Sequence, residues 1–94
     1  MTDLTDVLKV ILEEELPETV EGYTWVPTDL DQRPLTGLAR MIITYLFYCE
    51  QHGNKDEPCT MDMLYRHFAY DSKRQVQKAV QKLKELGMLE IIKV

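Results

Sequence analysis

The sequence predicts a mostly α-helical domain with a small β-sheet, of the α+β class. Three observations carry this. Several segments repeat apolar residues at helical spacing, and most of them have a capping or stop residue beside them. Two shorter segments, GYTWV and MLEIIKV, are rich in aromatic or β-branched residues. The chain has 94 residues and is 45% apolar, which suits one ordinary globular domain spanning 1–94.

The first element predicted is an acidic N-terminal helix over residues 3 to about 15, within an N-terminal segment 1–20. Leu4, Val7, Leu8 and Ile11 recur at i, i+3, i+4 and i+7, and Val10 and Leu12 widen the apolar face. Pro17 stops it. Glu13, Glu14 and Glu15 then fall at the negative end of the helix dipole, where acids are unfavourable. They form either a solvated helix end or, with Glu18, an acidic patch for a basic partner surface. The wide apolar face either covers the core or supplies a homodimer contact.

GYTWVP (22–27) reads as a strand ended by Pro27. TDLDQR is a polar connection, and Pro34 suits a first helical position. From Leu35 the residues Leu38, Ile42, Tyr45, Leu46 and Cys49 mark a long helix. Met41, Ile43 and Phe47 make it apolar nearly all round, so it is the predicted central helix. HGN (52–54) stops it, with Gly53 available for a left-handed cap. NKDEP is a loop, and 58–60 a very short strand. Thr60 caps the short helix MDMLYRHFA.

The chain turns at Tyr70-Asp71. Ser72 and Gln75 have capping-box spacing. Val76, Ala79, Val80, Leu83 and Leu86 form the buried stripe of the next helix, 72–86. Gly87 ends it. MLEIIKV is a strand with Leu89 and Ile91 on one face and Glu90 on the other. GYTWV is the expected pairing partner of this last strand.

The net charge of −5 conceals a gradient: residues 1–32 carry nine acids and one base, and residues 72–94 carry six bases and two acids. The longest apolar run, MIITYLFYC, is too short to cross a bilayer, so no membrane role is expected. The N-terminus has no signal-peptide pattern, and two cysteines make no disulfide framework, so a cytoplasmic setting with reduced thiols is expected. Cys49-x2-His52 and Cys59…His67 match no standard zinc spacing, so neither a metal nor a cofactor is expected. There is no Gly-rich phosphate loop, and Ser72, the one serine, is explained by capping. Catalysis is therefore the least favoured class. The eight aromatic residues read mainly as core, with Trp25 and Tyr70 bordering polar segments.

The stripe of helix 72–86 leaves Lys73, Arg74, Gln77, Lys78, Gln81 and Lys82 facing outward. Arg can read guanine, Gln can read adenine, and Lys can neutralise phosphate. The same face is also explained as a solvated surface, because Lys and Gln are good helix formers.

From Pro34 onward the order of elements resembles a winged helix-turn-helix. Residues 22–94 would be its core, with the N-terminal helix as an addition. From Tyr23 to Ile92 the chain more specifically resembles the winged-helix domains of phage and plasmid replication initiators. The motifs are YTWVPTDL and PLTGLARMIITYL at the opening and KLKELGMLEI at the ending. The resemblance implies that the N-terminal part of helix 72–86 enters the major groove. Lys73, Arg74, Gln77 and Lys78 would lie in the groove, with Lys82, Lys84 and Lys93 near phosphates.

The expected function is a small protein that binds double-stranded DNA in replication or transcription control. A homodimer through the N-terminal helix would double its basic surface. The alternative is an acidic protein-interaction module on the same scaffold, such as a phage protein that inhibits a host nucleic-acid machine. Its partner surface would be Glu13, Glu14, Glu15 and Glu18.

Overall fold

The computed structural model describes residues 4–11, 18, 21–27, 29–53 and 58–93, with the side chain of Asp31 excepted. Among them the chain forms strand β1 (Val7–Val10), a 3-10 turn (Leu30–Gln32), helices α1 (Gly37–His52), α2 (Met61–His67) and α3 (Lys73–Glu85), and strand β2 (Leu89–Ile92). The α+β class predicted from the sequence is the one observed.

Helix α1 is the centre of the core. Ala39, Ile42, Ile43, Leu46 and Phe47 are buried on it, with Ile42 and Ile43 wholly inaccessible. It packs against α3 and β1. Thr36 caps it, its hydroxyl oxygen accepting from the Ala39 N–H at 3.2 Å. Pro34 thus lies before the cap and not at the first helical position. Gly53 follows α1 in an extended conformation (φ −75°), so the predicted left-handed cap does not form. Glycine is needed there for closeness. A Cβ on Gly53 would sit 2.3 Å from the Cys49 carbonyl oxygen.

Helix α2 is capped by Thr60 and buries Met61 and Leu64. Helix α3 buries Val76, Ala79, Val80 and Leu83, the stripe its spacing predicted, with Leu86 half-buried. Its end is a Schellman motif. The Met88 N–H donates to the Leu83 carbonyl and the Gly87 N–H to the Lys84 carbonyl, both at 3.0 Å. Gly87 takes φ +74°, the left-handed region that suits glycine.

The N-terminal segment differs from the helix predicted over 3–15. Val7–Val10 is a strand, antiparallel to β2, with Leu8 opposite Ile91 and Val10 opposite Leu89 on the core face. Lys9 faces Glu90 on the outer face, a favourable opposite-charge pair. The other edge of β1 is also occupied. Val7 bridges to Thr60, the Leu8 N–H donates to the Cys59 carbonyl at 2.8 Å, and the Met61 N–H donates to the Asp6 carbonyl at 3.1 Å. The short strand expected at 58–60 is this single bridge.

A helix here would have buried Leu4 and Ile11 along with Leu8. Both are about half exposed, while Leu8 and Val10 are buried. Alternation won because VLKV carries two β-branched residues and can bond its backbone on both sides. Of the two readings of a wide apolar helical face, core cover or a homodimer contact, residues 7–10 cover the core, as a strand. Residues 12–17 lie outside the described residues.

GYTWV belongs to no sheet: Gly22 lies in a turn at φ +84°, and residues 23–26 form no regular element. β1 holds the place beside β2 that GYTWV was expected to fill. Trp25 is bound twice by the Gln51 side chain: its N–H donates to Oε1 at 2.8 Å, and its carbonyl accepts from Nε2 at 2.7 Å. The indole meets Phe47 edge-on, with centroids 6.0 Å apart.

A strand at residues 7–10 predicts an asymmetric pair of substitutions. Leu8→Ala should cost about 2–5 kcal/mol in urea denaturation. Ile11→Ala should cost under about 1 kcal/mol, because its side chain stays largely in water. Equal costs would indicate a helical stripe. Gly87→Ala should cost about 1 kcal/mol through the strained φ alone.

Candidate nucleic-acid interface

Helix α3 begins at Ser72, whose hydroxyl accepts from the Gln75 N–H at 3.1 Å. With the apolar stripe turned inward, the residues between the stripe positions must face out. Lys73, Arg74, Gln77, Lys78, Gln81, Lys82 and Lys84 are all exposed. At about 100° per residue, Arg74, Lys78 and Gln81 fall within about 60° of one another, opposite the core. Lys82 and Lys84 lie about 160° apart, on the two flanks of that face.

Five cations and one acid, Glu85, occupy α3. Lys73 and Arg74 stand in the first turn, which holds no acid. Cations there oppose the helix dipole, at a cost of roughly 0.3–1 kcal/mol each. Local helix stability does not explain that placement.

Tyr65 of α2 braces the start of this helix. The Gln77 Nε2 donates to its hydroxyl at 2.7 Å, and the Lys73 ammonium lies 5.4 Å from its ring centroid. A Gln reading adenine uses both ends of its amide. Gln77 would first have to release Tyr65. The sequence placed Tyr65 among the core aromatics. Its partners are eight and twelve residues away and meet it only because α2 and α3 cross.

On the Lys82 flank, Lys78 and Lys82 line a groove of about 500 Å³ with Pro34, Thr36, Asp71 and Gln75. Lys93 lies elsewhere, past β2. Its ammonium is 3.5 Å from Oδ2 of Asp6, a buried carboxylate, so its charge is partly spent within the protein. Less of that charge is open to an external anion than its place in the sequence implied.

The acidic residues of the alternative reading divide. Glu13, Glu14 and Glu15 lie outside the described residues, and Glu18 is exposed. The aromatic set also divides. Tyr45 stacks on His67 at 4.1 Å and meets Phe68 edge-on. Tyr70, just before α3, is fully exposed, and Tyr23 and Tyr48 are also exposed.

The four residues of the Cys/His spacing do not converge. His67 lies against Tyr45 and Phe68, and the His52 ring nitrogen bonds the Tyr23 carbonyl. Cys49 and Cys59 line one cavity without them. Among the described residues no three His, Cys, Asp or Glu form a group that could hold a metal, and no helix is long and apolar enough to cross a membrane.

Compared with protein-family models, curated proteins and solved structures, the chain matches none.

The cap at Ser72 sets where α3 starts and therefore how Lys73 and Arg74 are presented. Ser72→Ala should cost about 1 kcal/mol in thermal or urea denaturation. Ser72→Asp should recover most of that loss, since Asp caps comparably.

Proposed function

We propose that this chain is a small protein that binds double-stranded DNA through α3, on a winged helix-turn-helix scaffold, in replication or transcription control. The observation that carries the proposal is the outward face of α3. Eight exposed Lys, Arg and Gln residues stand on a helix whose other face is locked into the core. Arg74, Lys78 and Gln81 have the side chains and the angular grouping for base edges, with Lys73 and Gln77 beside them. Lys82 and Lys84 flank them as phosphate ligands.

The sheet supports the scaffold reading. β1 runs antiparallel to β2, where the returning strand of a wing would lie, and its other edge meets Thr60 at the start of α2. A net charge of −5 limits long-range attraction to DNA. The basic face must therefore act at short range, and affinity should be modest and strongly dependent on salt.

The test is fluorescence anisotropy with duplex DNA across a salt series, with selection of a preferred site. Arg74→Ala should cost about 1–3 kcal/mol on the preferred site and relax base preference. Lys82→Ala should weaken all sequences alike and reduce the salt slope by about 1. Lys93→Ala should affect DNA binding less than Lys82→Ala. No binding at low salt would overturn the proposal. It would favour the protein-interaction alternative, with the acidic N-terminal segment as bait for a partner.

A further inference from the structure

Cys49 and Cys59 come from separate elements and meet at one cavity. Cys49 stands in the last turns of α1, and Cys59 immediately precedes the Thr60 cap of α2. Both thiols are free. Their backbones are fixed: the Cys49 carbonyl accepts from the Gly53 N–H at 2.9 Å, and the Cys59 carbonyl accepts from the Leu8 N–H at 2.8 Å. They line a partly open cavity of about 310 Å³, with Lys9 and Glu50 as its charged neighbours. Cys49 is half-buried, while Cys59 is 7% exposed.

We propose that Cys49 and Cys59 are a thiol–disulfide exchange site, with Cys49 as the attacking thiol and Cys59 as the resolving thiol, and a small-molecule disulfide as the oxidant. The asymmetry in access assigns the roles. Cys49 offers more surface to a reagent than Cys59, which is almost wholly buried.

The neighbouring Cys59 thiol is the main cause that lowers the Cys49 pKa to about 7, with the Tyr45 hydroxyl helping and burial opposing. Cys49 and burial push Cys59 well up, so it stays protonated until it acts. Tyr45 is itself pushed up to about 12, first by burial and then by Cys49, so it remains a donor. At pH 7 such a thiol carries roughly sixteen times the thiolate fraction of an ordinary one. Its thiolate is about four- to sixfold less nucleophilic, so the net gain in rate is roughly three- to fourfold.

In the first step the Cys49 thiolate attacks one sulfur of a disulfide RSSR. The S–S bond breaks and RS⁻ leaves, taking a proton from water. In the second, Cys59 gives up its proton to solvent and attacks the Cys49 sulfur of the mixed disulfide, and a second RS⁻ leaves and is protonated. Two protein thiols are oxidised to one disulfide, and one RSSR is reduced to two RSH. A thiophilic metal is a poorer occupant, because no third ligand stands near among the described residues.

The experiment incubates the full chain with oxidised glutathione at pH 7. The chain is then acid-quenched, its free thiols are alkylated under denaturing conditions, and the intact mass is measured. The expected product has lost two hydrogen atoms, takes up no alkylating agent, and reverts with dithiothreitol. Cys59→Ala should accumulate a glutathione adduct on Cys49. Cys49→Ala should react at least about threefold more slowly than the unsubstituted chain. A wild-type chain that stays reduced would overturn the proposal. So would one that stops at the adduct or dimerises through Cys49. The wild-type result stands even where a variant folds poorly.

Discussion

The backbone of residues 6–11 is bonded along both edges, and much of the fold depends on that strip of chain. On one edge it meets Cys59, Thr60 and Met61; on the other it meets β2 and Met88. The first contact lies at the start of α2 and the second just beyond the end of α3. One strand therefore ties together both ends of the helical pair. Leu8 and Val10 fill the core beneath. Each hydrogen bond contributes only about 1 kcal/mol net. An unpaired buried amide would cost as much or more, so the strip resists removal as a unit.

That tie fixes the attitude of α3. The helix ends in a glycine cap and runs at once into β2, while its apolar stripe packs on α1. It cannot roll without exposing Val76, Val80 and Leu83, all buried to within 1%. Its basic face is therefore presented outward as a rigid surface. Tyr65 adds a brace at the first turn. The outward cations cluster on one helix of an acidic protein, a distribution that would favour a polyanion at contact and little at a distance.

The same strip places the thiols. Cys59 is held by the Leu8 amide, and Cys49 is carried to it at the end of α1. Their sequence spacing suggested at most a poor metal site with His52 and His67. In the folded chain the histidines are engaged with Tyr23, Tyr45 and Phe68. The two sulfurs are left to share one cavity without them.

The sequence by itself determined the three helices, their caps at Thr60 and Ser72, the stop at Gly87, and the outward basic residues of α3. These are local matters. Helical periodicity, a side-chain oxygen near a free N–H, and a residue permitting positive φ act within a few positions of the chain. The β1–β2 pairing, the capture of Trp25 by Gln51, the Tyr65 brace, the Lys93–Asp6 pair and the Cys49–Cys59 contact were decided only by the tertiary structure. Each joins residues eight or more positions apart. The segment VLKVI shows why. Its apolar residues fit a helical stripe and an alternating strand about equally, and no local term separates the two. Two free edges, at Thr60 and at Leu89–Ile92, were waiting to satisfy its backbone, and a segment's hydrogen-bonding partners cannot be read from its own letters.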